Sequence, residues 1–89
     1  MHIDQTTEMV QVPKERIYTL TRNSINYLEL RVNAANVKKG GWRYFRFVEA
    51  KKAVNRARNL LIEEKFDEAY SEVQEGIMNM MEVDRTEAA

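Results

Sequence analysis

The residues best suited to chemistry in this 89-residue chain form the run Lys38-Lys39-Gly40-Gly41-Trp42-Arg43-Tyr44-Phe45-Arg46-Phe47, where cations alternate with aromatic rings. Arginine grips phosphate or carboxylate through paired hydrogen bonds. Aromatic rings offer stacking area to bases. The run also opens a predicted helix, and the unpaired N–H groups of a helix start attract anions. Lys52 and Arg56 continue the basic face further along that helix. Lys38, Lys39, Trp42, Arg43, Phe45, Arg46, Lys52 and Arg56 therefore make one candidate binding site, for an anionic nucleotide or a nucleic acid. Met78 marks a second surface. It falls off the apolar stripe of its predicted helix, and adaptable methionine surfaces suit protein partners.

Other chemistry finds little support. The chain has no cysteine, so a thiolate nucleophile, a disulfide or a cysteine metal site is out of reach. His2 is the only histidine and lies in the terminal segment, so Ser24 and Ser71 have no base to activate them. Glu63, Glu64, Asp67 and Glu68 are the one acidic cluster that could resemble a metal site, but acids are common at helix ends. Gly40-Gly41 lacks the lysine and hydroxyl that follow the glycines of a phosphate loop. No catalytic residue, cofactor or metal is expected.

Charge is segregated beneath a net of zero. Residues 37–62 carry eight basic groups against Glu49 alone, while residues 63–89 carry nine acids against Lys65 and Arg85. Such opposed segments most simply pair with each other across helices. A free basic face that binds nucleic acid is the alternative, though nucleic-acid binders usually carry a net positive charge.

These residues need helices to position them. From Pro13 to Asn36, Ile17, Leu20, Ser24, Ile25, Tyr27, Leu28, Arg31, Val32, Ala34 and Ala35 share one broad face. Lys38-Lys39-Gly40-Gly41 should end this helix. A second helix is predicted from Trp42 to Glu64, with Phe47, Ala50, Val54, Ala57 and Leu61 in a narrow stripe flanked by Ala53 and Leu60. Asp67 is a plausible N-cap for a third helix reaching Val83. Phe66, Ala69, Tyr70, Val73, Ile77, Met80 and Met81 line its apolar face, with Gly76 among them to permit close contact. Residues 1–12 read as a short extended or disordered N-terminal arm, 13–84 as the bundle and 85–89 as a frayed tail. Three amphipathic helices with short turns predict an all-α, antiparallel three-helix bundle in up-down-up order. No apolar run reaches the roughly 20 residues that span a bilayer, and Met1 to Val12 does not resemble a secretory leader. A cytoplasmic protein is expected.

Two stretches resemble known patterns. Ala57-Arg58-Asn59-Leu60-Leu61 followed by Lys65-Phe66-Asp67-Glu68-Ala69-Tyr70 looks like the helical hairpin of tetratricopeptide-type proteins, without a second copy in the chain. The whole also resembles nucleotide-binding ribonuclease-like helical bundles, but it lacks their arginine-to-histidine motif, so that activity is not implied. Val10-Gln11-Val12-Pro13-Lys14-Glu15-Arg16 is similar to the opening of many short bacteriophage proteins, which would imply an accessory or host-modulating role.

Phe45, Val48, Ile62, Leu30, Val37, Met78 and Val83 lie outside the densest stripes. That is more apolar surface than a lone three-helix bundle needs. The expected function is a non-catalytic protein-protein interaction module that forms a homo-oligomer, such as a dimer, and binds a protein partner.

Overall fold

The computed structural model describes residues 14–88, and the arm expected over residues 1–12 lies outside them. Three helices follow one another: α1 over Lys14–Ala34, α2 over Gly41–Ile62 and α3 over Phe66–Ala88. Every pair of helices is in contact, and α2 and α3 share the most extensive packing. Tyr18 meets Phe66 and Arg31 meets Asp84, so α1 runs parallel to α3. Arg43 reaches Val83 and Arg56 reaches Glu72, so α2 runs antiparallel to α3. This is the predicted up-down-up bundle. None of these helices is long and apolar enough to cross a membrane.

The core forms where small residues let helices approach. Ala50, Ala53, Val54, Ala57 and Leu61 of α2 are buried, as are Ala69, Val73, Met80 and Val83 of α3. Gly76 is at the centre of the contact. A β-carbon built on it would lie 2.5 Å from Leu28 Cδ2 and 2.7 Å from Ala53 Cβ. One residue from each helix therefore meets at this point. Val83, expected outside the core, is instead fully buried. It follows Ala69 and Gly76 at seven-residue steps, which keeps it on the same face of the helix.

The broad face of α1 divides. Ile25, Leu28 and Val32 enter the core, joined by Thr21, whose fully buried hydroxyl has no hydrogen-bond partner among the described residues. Leu20, Tyr27 and Ala34 remain exposed. Ten residues spread over about half the circumference of a helix, more than the roughly 100° stripe that usually faces a core. Tyr70 and Met81 of α3 are likewise exposed rather than buried.

The ends differ from expectation in instructive ways. α1 stops at Ala34, where Ala35 N–H reaches the carbonyls of both Arg31 and Val32. Gly40 and Gly41 adopt positive φ of 91° and 89°, but they introduce α2 rather than close α1. α2 ends in a Schellman motif, with Lys65 N–H on Leu60 O at 2.9 Å and Glu64 N–H on Leu61 O at 3.0 Å. Glu64 occupies the left-handed position at φ 63°, where glycine is the usual residue. Ala69 N–H bonds Lys65 O, so Lys65 rather than Asp67 introduces α3, and Asp67 lies in the first turn. α3 then continues past Val83 to Ala88. Thr86 Oγ1 donates toward the carbonyls of Glu82 and Val83, at 2.9 and 3.0 Å.

Two substitutions test this packing. Gly76→Ala should cost about 1–3 kcal/mol of unfolding free energy in urea titration, because overpacking against Leu28 and Ala53 outweighs the gain in helix propensity. Glu64→Gly should stabilise the protein by roughly 1 kcal/mol in the same assay, by relieving the left-handed conformation.

Candidate interaction surfaces

The basic, aromatic start of α2 folds back onto its own neighbour. Arg43 Nε donates to Val83 O at 3.0 Å. Arg46 Nη1 donates to Asn79 Oδ1 at 2.9 Å, and its guanidinium lies 4.8 Å from the Trp42 ring centre. The Arg46 Nε is buried without a partner. Arg46 also stands close enough to Glu82 to help lower its carboxyl. Tyr44 and Phe47 approach at 6.3 Å, and Lys51 caps the Phe47 ring at 5.6 Å. The run thus forms a cap joining the start of α2 to the end of α3.

The remaining predicted residues scatter. Arg56 Nε donates to Glu72 Oε1 at 2.8 Å, and this hydrogen bond holds the guanidinium pKa above its ordinary value. Arg58 pairs with Glu29 of α1. Lys52 Nζ lies 3.7 Å from Glu49 on its own helix. Lys38 and Lys39 are exposed in the connection between α1 and α2. Phe45 and Met78 are each more than half exposed, on different helices. Arg46 is thus brought onto Trp42 and, with Arg43, onto α3, while Lys52 and Arg56 pair with Glu49 and Glu72 and Met78 is on α3. The described Glu63, Glu64, Asp67 and Glu68 do not converge on a position that could hold a metal ion.

A second surface runs between α1 and α3. On α1 it comprises Ile17, Leu20, Ser24 and Tyr27, at three- and four-residue spacing. On α3 it comprises Tyr70, Ile77 and Met81. Leu20 is 52% exposed, Tyr27 49%, Tyr70 44% and Met81 63%. At the α1 start the surface opens into a cavity of about 350 Å³ lined by Ile17, Leu20, Thr21, Asp67, Tyr70 and Ser71. At the other end Tyr27, Ile77 and Met81 frame a narrow cleft floored by Leu28 and Met80. Arg31 closes that end, bonding Tyr27 Oη at 3.3 Å and pairing with Asp84.

This groove was hidden in the sequence because its residues were assigned to the core. The available signal was the excess width of the α1 face, which one buried stripe could not absorb. Phe45, Leu30, Ile62 and Met78, expected to be exposed, are so, but they lie apart from the groove's lining. Val37 instead packs against the core, and Val48 is half-buried.

Comparison with protein-family models, with curated proteins and with solved structures finds no match to the chain. Geometry alone must therefore suggest what these surfaces do.

Near the end of α3, Arg85 donates to Glu82 and holds its carboxyl below the usual carboxylate range. Because that value is lowered on folding, the stabilisation is present above the unfolded carboxylate pKa and fades as pH falls through the folded one. Closer to α2, Arg46→Ala should lower stability by about 1–2 kcal/mol, the sum of a lost cation–π contact and a lost hydrogen bond. It should also shift the emission of Trp42, the single tryptophan. Lys39→Ala should leave stability within about 0.5 kcal/mol and the emission unchanged. Urea titration followed by fluorescence checks both.

Proposed function

We propose that this chain is a protein-interaction module without catalytic chemistry of its own, and that it works by self-association. The observation that carries this reading is the exposed apolar groove between α1 and α3. Leu20, Tyr27, Tyr70 and Met81 hold much of their surface in water on the facing flanks of α1 and α3, where they line two clefts, one toward each end. Scattered apolar residues are ordinary on a protein surface, whereas large apolar side chains gathered on one side of it mark an interface. Tyrosine and methionine are also enriched at the centres of protein interfaces.

The chain's size favours the same reading. A domain this small buries a modest share of its surface, and association is a common route to more. The interior of this bundle is rich in alanine, which contributes little apolar area per residue.

Nucleic-acid binding through the start of α2 receives less support. Arg43, Arg46 and Arg56 already hydrogen-bond to α3, and a phosphate would have to displace those contacts. At Leu20 and Met81, by contrast, no described residue makes a contact that a partner would have to displace.

Sedimentation equilibrium between 1 and 100 micromolar, a range on the order of the affinities of modest protein interfaces, tests the reading. The expected result is an average mass approaching two chains at the upper end. Leu20→Asp should return the protein to one chain while its helical circular dichroism is retained. A wild-type chain that stays monomeric throughout would remove the proposal.

A further inference from the structure

Resting on that reading, we infer that a second copy of this chain lies antiparallel across the α1/α3 groove, with Ser24 on the two-fold axis. A closed two-fold interface must be self-complementary: if one residue meets a second, the second must meet the first. The groove satisfies that condition in one orientation.

Ser24 stands between Leu20 and Tyr27 on α1, four residues after one and three before the other. At 1.5 Å per residue these side chains lie about 6 Å and 4.5 Å either side of it. Reversing one copy therefore places Leu20 against the partner copy's Tyr27, and Tyr27 against its Leu20. The serine itself is small, so the two α1 helices can approach at the axis without a bulky side chain between them. On α3, Tyr70 falls on the Leu20 side of this centre and Met81 on the Tyr27 side, so these apolar groups also exchange neighbours.

Charge selects the orientation. Asp67 lines the groove at one end and Arg31 at the other. Tyr18 meets Phe66, so Asp67 is level with the residue after Tyr18, about 8 Å before Ser24. Arg31 lies about 10 Å beyond Ser24. In the antiparallel arrangement each Asp67 approaches the other copy's Arg31. In a parallel arrangement, Asp67 would face Asp67, which costs affinity, while the other end, where Arg31 is paired with Asp84, stays neutral in either orientation. Arg31 keeps its pairing with Asp84 in either case, and its fork has donors for both carboxylates.

The absence of cysteine makes a direct test simple. Single thiols are introduced as Ser24→Cys, Asp67→Cys, Arg31→Cys and Asn59→Cys in the full chain, and each is treated with a short bismaleimide. Ser24→Cys should cross-link to itself in most chains at a concentration where sedimentation shows dimers. Asn59→Cys, exposed on α2, should remain at background. Asp67→Cys should link to Arg31→Cys in a mixture and not to itself.

The outcomes separate cleanly. A monomeric wild type overturns both this geometry and the self-association reading. A dimer in which Ser24→Cys is silent, or in which Asn59→Cys links efficiently, overturns the groove as interface and leaves self-association standing. Self-linking of Asp67→Cys overturns the antiparallel orientation. Efficient Ser24 linking together with the mixed Asp67–Arg31 product supports the arrangement.

Discussion

The close approach of three helices at Gly76 governs this molecule. With only hydrogen on its α-carbon, Gly76 leaves a notch that Leu28 of α1 fills from one side and Ala53 of α2 from the other. Alanines at 50, 53 and 57 extend the notch into a seam that α3 can enter closely. The cost is a thin core, since alanine and glycine bring backbones together but contribute little apolar area. The return is a fixed rotation for α1, because Leu28 fits the notch in one setting only. That rotation directs Ile25 and Val32 inward. It leaves Leu20 and Tyr27 on the flank.

The two candidate surfaces follow from this rotation in opposite ways. The start of α2 extends alongside the last turns of α3. Its arginines find a carbonyl and a side-chain amide there, and Trp42 receives the Arg46 guanidinium on its face. A segment rich in apparent binding chemistry thus becomes a structural clasp. Among the described residues, the α1 flank has no comparable neighbour. Its apolar groups face a shallow channel that the described helices leave open, which is why self-association is the function proposed here.

Charge segregation plays a similar structural part. The basic α2 is placed between acids of both neighbours: Arg56 reaches Glu72 on α3, and Arg58 reaches Glu29 on α1. Exposed pairs of this kind add little stability each. Their value is in adjacency, since a basic α2 beside an acidic α3 attracts in place of repelling. Charge applied between copies, at Asp67, is what orients the dimer we propose.

By itself, the sequence determined the number of helices, their order, the turns between them and most of the core. Three- and four-residue spacing of apolar groups is a local property, and so Ile25, Leu28, Val54, Leu61, Val73 and Met80 were legible as core residues. The close contact at Gly76 was legible for the same reason, as the one glycine within an apolar stripe. Only the tertiary structure decided which part of a wide face is buried. Ile17, Leu20 and Tyr27 share a side of α1 with Ile25 and Leu28, and periodicity cannot rank them; the rotation set by Leu28 does. Nor could spacing reveal that Arg43 and Arg46 meet α3, or that Val83 turns inward, because those contacts join residues more than thirty positions apart. Helix ends fell between the two: the glycines at 40 and 41 were legible as a break, but whether they close α1 or open α2 depended on how far the connection had to reach across the bundle.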